Sequence, residues 1–464
     1  MMRKTFLVWT CILLASGCHS SKYTDIRQEH AQNFPKELKE RSQSVLAEFK
    51  RPLTLKDCVH LSMENGFALK NAEIQQRIAG LDRNISLANF LPAVSLDVKN
   101  IAWDPNPLIK FGGAGVAMHD KDVQEVTWNI KMAIFNPATW FLHGMYRRGY
   151  EIAGLANEYT RQAVAFQVTA LFYQCLTMEQ MEKLLEKQLA AAEVQAGELS
   201  AWRDEGLLTD WQAEQGRVMV LSKTAEAHRM KRAVSQAFAD LLAAMGLAPD
   251  TPLTLQTETP LQAPEGTLEE LMTEALLHHP KLAIADRKID IEKEKVRIAI
   301  TRFLPSLAGM ASYIDTSDSH QIYSNYWMGG LAGTVSVFNG FADVNQYKAA
   351  RKQQEAAFIQ REQASLTLMV QVMRAYDQVQ SAREMLDVAD AVKKVAESRL
   401  NEIRDRHAQG LVQAGELLNL TAETDKARVQ ALQAKFQYQI SIAALTQVLG
   451  RTDINFKDSK HANS

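Results

Sequence analysis

The stretch that decides the fold runs from Ala138 to Glu205, and its centre, residues 161–178, reads RQAVAFQVTALFYQCLTM. It contains no proline, and its glycines lie only towards its two ends, which favours one continuous helix. At about 1.5 Å per residue, such a helix is roughly 100 Å long, several times the width of a globular domain. Its central apolar residues follow a 4-3-4-3 spacing typical of a coiled-coil seam, which requires partner helices of similar length. These residues are Val164, Val168, Leu171, Cys175 and Met178.

The charge balance and the motifs exclude several function classes. The 464 residues include 52 Lys and Arg against 54 Asp and Glu, which gives no basis for a nucleic-acid partner. P-loop, G-x-S-x-G and H-E-x-x-H motifs are absent, so no catalytic residue, cofactor or metal site is predicted. Beyond the N-terminus, no apolar run approaches the ~20 residues of a membrane helix. Any membrane crossing must therefore use strands.

The N-terminal residues 1–17 have the layout of an export signal. A basic start and an apolar segment ending at Leu14 are followed by small residues directly before Cys18. This arrangement resembles the lipobox of bacterial lipoproteins, which implies cleavage before Cys18 and a covalent lipid on it. His19, the next residue, then favours the outer membrane. The alternative is an ordinary signal peptide with an incidental cysteine. Residues 18–52 are predicted to be a lipidated tether with one short helix at about 36–49.

The rest of the chain is an internal duplication. Four landmarks recur at an offset of 213 residues for the first two and 203 or 204 for the others, so the copies differ by about ten residues in one loop region. We predict repeats over 53–247 and 266–450, a linker over 248–265 and a tail over 451–464. The landmark pairs are Thr54-Leu55 with Thr267-Leu268, Phe90-Leu91-Pro92 with Phe303-Leu304-Pro305, Phe135-Asn136 with Phe338-Asn339, and Gly206-Leu207 with Gly410-Leu411.

Each copy has the same predicted order of elements. One opening helix, unbroken up to the Phe-Leu-Pro motif, is followed by two strands, a very long helix, a sharp tip and a returning helix of ~38 residues. The strands and tips are predicted from alternation and from glycine followed by two apolar residues. Their bounds are strands at about 93–102 and 123–135 with a tip at about 204–209, then strands at about 306–315 and 326–338 with a tip at about 408–413.

The strands alternate apolar and polar residues, as strands between lipid and water do. In the first strand, for example, Val94 and Leu96 alternate with Ser95 and Asp97. Four strands cannot close a membrane barrel, and open edges are not tolerated in lipid. Two copies of the chain would supply eight strands and three would supply twelve. A small soluble β-domain is the other interpretation. Aromatic residues near the strand ends are candidates for an interfacial girdle: Trp103, Trp128, Tyr313, Tyr326 and Trp327.

The duplication also explains the cysteines and a histidine pair. Cys58 and Cys175 correspond to Leu271 and Val379 in the other copy, so we predict buried packing thiols and no disulfide. His278-His279 is adjacent in sequence, and neighbouring helical residues point about 100° apart, which makes a poor metal pair. These histidines are therefore predicted to be polar turn or surface residues.

With the duplication in view, the chain resembles the TolC family of outer-membrane efflux proteins over roughly residues 53–450. The resemblance implies a fold that is mainly α with a β-barrel part, in which a homotrimer forms a twelve-stranded outer-membrane barrel continued by a periplasmic α-helical coiled-coil tunnel. The motifs that carry it are Leu53-Thr54-Leu55, Phe90-Leu91-Pro92, Gly206-Leu207-Leu208, Val335-Ser336-Val337-Phe338-Asn339-Gly340 and Gly410-Leu411-Val412.

The resemblance further implies a passive duct without catalysis, lipid-anchored in the outer membrane and extending into the periplasm. It would receive drugs or metal ions from an inner-membrane pump of the RND or ABC type through a periplasmic adaptor (membrane fusion protein). A type I protein secretion channel and a non-pore periplasmic coiled-coil adaptor or structural lipoprotein are the alternatives. The implied sites are adaptor-docking tips at Gly206, Leu207, Leu208, Gly410, Leu411 and Val412, and an aperture at Glu416 and Asn419.

Overall fold

The computed structural model describes residues 23–49, 51–256, 260–409, 411–412 and 414–451. The predicted signal peptide, the lipidation site Cys18, Gly410 of the second tip and all but the first residue of the predicted tail lie outside these residues. The helices of the described part are α1 (Tyr23–Ala47), α2 (Leu55–Asn65), α3 (Phe67–Ala88), α4 (Pro137–Asp204), α5 (Asp210–Ala244), α6 (Leu268–His278), α7 (Pro280–Thr301), α8 (Ala342–Ala408) and α9 (Ala414–Val448).

The two very long helices are confirmed. Helix α4 has 68 residues and α8 has 67, and each is followed by a returning helix of 35 residues. The predicted seam of α4 is largely buried, since Val168 and Cys175 are fully buried and Val164 nearly so. Phe172 is also fully buried beside them. The 4-3-4-3 spacing therefore identified the packed face of this helix correctly.

The opening helix of each copy is broken, so the prediction of one unbroken helix was wrong. In the first copy α2 ends before Gly66, whose backbone is extended (φ −60°, ψ 130°). In the second copy α6 ends before His279, which has nearly the same angles and is followed by Pro280 at the start of α7. A residue before proline is pushed towards extended backbone, which accounts for the second break. Both α2 and α6 begin with the capping box expected from their Thr residues.

The described part of the predicted tether makes specific contacts with the rest of the chain, which the sequence did not predict. Instead of a short helix at 36–49, α1 covers 25 residues and contains Pro35. It is fixed by Ser42, whose buried Oγ accepts a hydrogen bond from the backbone N–H of Ala248 at 2.8 Å. Lys39 forms an ion pair with Asp250 at 2.6 Å. The segment after the first repeat thus holds α1 in place.

One four-stranded antiparallel sheet is built from both copies, in the order β1-β4-β5-β6. Its strands are β1 (Ala93–Ala102), β4 (Asp122–Phe135), β5 (Ser306–Thr316) and β6 (Asn325–Thr334), close to the predicted bounds except that β6 ends four residues early. A separate hairpin of β2 (Leu108–Phe111) and β3 (Ala114–Ala117) was not predicted. Its short strands lie between β1 and β4 in the chain, where the first copy has its extra residues.

The chain forms two compact units that do not coincide with the sequence repeats. Of the described residues, one unit comprises those up to 67 with those in 164–262 and 381–441, and the other comprises 68–163, those in 263–380 and 442–451. Helices α4 and α8 each contribute residues to both units, so the repeats are interleaved in space. The fully buried core side chains include Leu241, Leu242 and Met245 in the first unit, and Leu271, Leu445 and Leu449 in the second.

The cysteine prediction is confirmed. Cys58 and Cys175 are both buried, and no disulfide joins them. Burial raises the pKa of the Cys175 thiol to about 12, so it behaves as an apolar packing group. Across the described residues, none of the helices combines the length and the apolar character that a membrane span needs.

Candidate functional site

The four-stranded sheet has one apolar face that this chain leaves uncovered. Register places Leu96 opposite Trp128, Trp128 opposite Tyr313, and Tyr313 opposite Trp327, so one apolar row crosses all four strands. The rings of Tyr313 and Trp327 are 5.2 Å apart. Trp327 is 69% exposed and Leu331, on the same face, is 71% exposed. A contiguous exposed apolar surface of this kind marks a membrane or partner contact.

The opposite face of the same sheet carries a polar hydrogen-bonded network across β1, β4 and Ser312 of β5, while its part on β6 includes Tyr326 and Met328. Asn129 connects three strands, since its Nδ2 donates to Asp97 Oδ2 at 2.6 Å and its Oδ1 accepts from Ser312 Oγ at 2.7 Å. Lys99 Nζ donates to Glu125 Oε1 at 3.2 Å on the same face. An apolar face opposite a face with a polar network suits a wall between lipid and water.

Both edges of this sheet are open within the described chain. Strands β1 and β6 each pair on one side only, at the two ends of the strand order. An open edge presents a row of unpaired backbone N–H and C=O groups, which favours pairing with another strand. The sheet is therefore built to be continued by further strands.

Three of the aromatic residues expected to form a girdle line up in one row across the sheet. Trp128, Tyr313 and Trp327 lie side by side across the strands, with Trp128 in the middle of β4 but Tyr313 and Trp327 near one end of β5 and β6. Tyr326, beside Trp327, lies on the opposite face. Trp103 lies beyond the end of β1 and stacks on His119, with ring centroids 5.5 Å apart and the planes 13° apart. It is half-buried there and does not extend the exposed apolar face.

The first helical tip is a tight reversal made by Gly206. The N–H of Leu207 donates to the carbonyl of Trp202 at 2.8 Å, and the N–H of Gly206 donates to that of Arg203 at 2.9 Å. This hydrogen-bond pattern needs a residue in the left-handed backbone conformation, and Gly206 adopts it with φ 79°. The reversal leaves Leu207 69% exposed, while Leu208 is half-buried.

The second tip repeats this reversal. The N–H of Leu411 donates to the carbonyl of Arg406 at 3.0 Å, the equivalent of the Leu207 bond. Leu411 is 67% exposed. Val412 is half-buried and packs against a cluster of Leu400, Ile403 and Leu420, so it is not part of an exposed knob. The exposed apolar surface of each tip is therefore one leucine, narrower than the pair predicted.

The fold is that of solved outer-membrane channels. The Campylobacter jejuni CmeC outer membrane channel has a TM-score of 0.72 at 17% identity, covering 85% of each chain. The open state of the Neisseria gonorrhoeae MtrE outer membrane channel has a TM-score of 0.67 at 16% identity, covering 86% of this chain and 89% of that one. VceC from Vibrio cholerae has a TM-score of 0.66 at 15% identity, with 86% and 96% covered. No curated protein matches the chain.

Residues 271–451 match the family of outer membrane efflux proteins. This chain carries an outer membrane efflux protein domain. The family resemblance predicted from the repeated motifs is thereby confirmed. The matched region covers nearly all of the second repeat, including the second tip and α9.

Within the efflux domain, both aperture candidates lie on α9. Glu416 is in the first turn of the helix, and it and Asn419 are exposed. Their spacing of three residues, continued by Glu423 four residues later, places them on one helix face. Their role at an aperture stays a prediction, because a single chain does not form one.

An ion-pair network in the same region was missed from the sequence. Asp425 of α9 lies 3.0 Å from Lys187 Nζ of α4 and 3.2 Å from an Arg428 nitrogen. Arg428 also reaches Glu397 of α8 at 2.8 Å. The pairs connect three helices, and Lys187 and Asp425 are 238 residues apart, so no local spacing signals the contact. Since most of these side chains are partly exposed, the ion pairs fix the relative orientation of the helices more than they raise the free energy of unfolding.

Proposed function

We propose that this chain is the outer-membrane channel of a tripartite efflux system, a passive duct without catalysis of its own. It exports small molecules, drugs or metal ions, that an inner-membrane pump delivers through a periplasmic adaptor. The observation that carries this proposal is the four-stranded sheet, with an exposed apolar face, a hydrogen-bonded polar network on the other face and two open edges. The matched efflux family and the fold of CmeC and MtrE support it.

Closure of the sheet requires further copies of the chain, and the family resemblance sets their number at three. Backbone groups at an open edge have no partner in lipid, and each unsatisfied group costs several kcal/mol. Three chains supply twelve strands, so that β6 of one copy pairs with β1 of the next and every edge is removed. The apolar rows then face lipid and the polar networks line the lumen.

The long helices continue the duct and contact the neighbouring copies. Helix α8 carries exposed apolar residues at spacings of three and four, as a coiled-coil seam without its partner does. Helix α3 carries a second stripe of the same kind. Adjacent copies cover both stripes in the trimer. The residues of the α8 stripe are Met385, Val388, Val392 and Val395, and those of the α3 stripe are Ile74, Ile78, Leu81 and Ile85.

The remaining predicted sites complete this proposal. The exposed Leu207 and Leu411 dock the adaptor, supported by Gly206 and Gly410 as turn residues and by Leu208 and Val412 as packing residues. Three copies of Glu416, with Asn419 one turn on, surround the periplasmic aperture. A lipid on Cys18 anchors the chain to the outer membrane from the periplasmic side.

The lipid-facing assignment is tested by placing a lysine on each face of β6. Leu331 lies on the apolar face, and the adjacent Gly330 points to the other face, where an added side chain meets nothing within 4 Å. Lysine near the middle of a lipid-facing strand costs about 2–4 kcal/mol, so Leu331→Lys should prevent membrane insertion. Gly330→Lys should insert as the wild type does and alter the conductance of the lumen. The measurements are the outer-membrane fraction and single-channel conductance in planar bilayers.

Two results would contradict the proposal. Equal insertion of the two variants would show that the apolar face does not contact lipid. Absence of conductance from correctly inserted wild-type protein would show that the sheet does not form a channel, whichever face meets the membrane.

A further inference from the structure

Four side chains of the kind that bind metals meet where two strand pairs turn. His119 and Asp120 directly precede β4, and Asp318 and His320 lie just after β5. The two segments are about 200 residues apart in the chain, which is why the sequence predicted no metal site. Asp318 is the centre of the cluster, and its side chain is only 1% exposed. The other three side chains are each about one-third exposed, so solvent reaches the cluster.

Two of the three separations between ligand atoms in this cluster match a tetrahedral metal site. His320 Nδ1 lies 3.3 Å from Asp318 Oδ1 and 3.4 Å from Asp120 Oδ1. One ligand atom from each of the three residues falls within 4.8 Å of the others. A zinc ion with bonds of about 2.0–2.1 Å in tetrahedral geometry holds its ligand atoms roughly 3.3–3.4 Å apart. Two of the three separations therefore match a zinc site without any movement of the chain.

The ligands are held in place by a second layer of hydrogen bonds. His119 Nδ1 lies 2.8 Å from Asp318 Oδ2, and because a carboxylate only accepts, the Nδ1–H of His119 donates. The backbone N–H of Asp120 donates to Asp318 Oδ1 at 3.0 Å. Ser319 donates to Asp120 twice, from its N–H at 2.6 Å and its Oγ at 2.9 Å. Outer partners of this kind orient the ligands of metal sites and tune their affinity.

We propose that Asp120, Asp318 and His320 bind one divalent transition-metal ion per chain, with Zn²⁺ the best match. An imidazole ligand favours Zn²⁺ over Mg²⁺ or Ca²⁺, which prefer oxygen. Three protein ligands leave the fourth position to water. The ion would join the segment before β4 to the turn after β5 and so fix the two loops to each other. The site replaces the sequence-based expectation that the chain binds no metal. The proposal does not depend on the direction in which molecules pass through the channel.

The test is Zn²⁺ titration of the purified full-length protein by calorimetry after treatment with EDTA. We expect one ion per chain. His320→Ala should abolish binding. His119→Ala should weaken it about 10–100-fold, because it removes only an outer partner. His60→Ala is the matched control, since His60 is an exposed histidine 3.6 Å from Glu64 and should leave the titration unchanged.

A second variant separates loss of the site from loss of the fold. Asp120→Asn keeps one of the two oxygens that accept from Ser319 but removes the charge, so it should weaken Zn²⁺ binding while the metal-free protein still folds and unfolds cooperatively. Zn²⁺ should raise the melting temperature of the wild type and not that of His320→Ala. Two outcomes overturn the proposal. If the wild-type protein takes up no Zn²⁺, the cluster only joins the two loops through ion pairs. If His320→Ala binds Zn²⁺ as well as the wild type, the metal is bound elsewhere.

Discussion

At the residue scale, the break between α6 and α7 places a titratable group where burial controls its charge. His279 is 3% exposed, and its Nδ1 accepts the backbone N–H of Lys281 at 3.1 Å, so it caps α7 as a neutral imidazole. Burial, with a smaller effect of the Lys281 charge, lowers the pKa of His279 to about 4. The sequence-based interpretation of a polar turn residue was right about the turn and wrong about the surface. His278 beside it is exposed.

This depressed pKa predicts a specific loss of stability in acid. Between pH 6.5 and about 4 the unfolded chain protonates this histidine and the folded chain does not, so folding stability rises with pH across that window. The full effect is on the order of 3 kcal/mol. His279→Asn, which can still cap α7, should show a smaller fall in apparent melting temperature between pH 7 and pH 5 than the wild type. His278→Asn is the control and should keep the wild-type profile, and an unchanged profile for His279→Asn would contradict the assignment.

Single residues also show which of the two helix breaks could be predicted from the sequence. Pro280 was a usable signal for the second break, because the residue before a proline avoids the helical region. The first break has only Gly66 and becomes evident through packing. Gly246, at φ 70°, lies so close to the carbonyl of Asn65 that any Cβ there would collide with it. The opening helix is therefore broken where the end of the returning helix packs against it. This break depends on tertiary packing and cannot be predicted from the local sequence.

At the scale of elements, the two helical hairpins each expose one leucine at the tip, and we predict that both leucines are needed for export. Leu207→Asp with Leu411→Asp should abolish export, because a charge replaces the apolar surface proposed to dock the adaptor. Adaptor capture by the purified channel should weaken about tenfold or more, the size of a 1.4 kcal/mol change. Export is measured as accumulation of a fluorescent efflux substrate in cells with the cognate pump and adaptor. Trimers should remain in the outer membrane, since both side chains are exposed.

The control for the tip variant is Val194→Asp, which adds the same charge to an exposed position on α4 away from the tip. It should export normally. Loss of trimers in the Leu207 and Leu411 double variant would show that the tip leucines are structural, and normal export would show that the adaptor docks elsewhere.

Elements were the scale at which the sequence was most informative. The length of α4, its buried seam and the alternation in β1 and β4 all follow from local patterns, because the helical and strand periods record which face is packed. The duplication then placed the same elements in the second half. The β2–β3 hairpin was missed because its strands have four residues each, too few to show a period. The metal-binding cluster and the Asp425 network join residues far apart in sequence, so no pattern within one element records them.

At the scale of the whole molecule, the proposed trimer depends on pairing between β6 of one chain and β1 of the next. Within one chain these strands are separated by β4 and β5. Three strand spacings of about 4.8 Å place them roughly 14 Å apart, beyond the ~7 Å that a disulfide can join. Any disulfide between a cysteine in β1 and one in β6 must therefore link two chains. The native thiols Cys58 and Cys175 do not interfere, because both are fully buried.

A cysteine at Leu96 combined with a walk along β6 tests this pairing and counts the chains. Leu96 lies on the apolar face, so cysteines on the same face of β6 (positions 327, 329, 331 and 333) should crosslink where the register brings them opposite. The intervening positions 328, 330 and 332 are the matched controls and should not, because successive strand residues point to opposite faces. Denaturing gels should show products of two and three chains and nothing larger, since a third bond closes the ring. A ladder ending at two chains would favour an eight-stranded barrel, and the absence of crosslinks at every position would show that these edges do not pair.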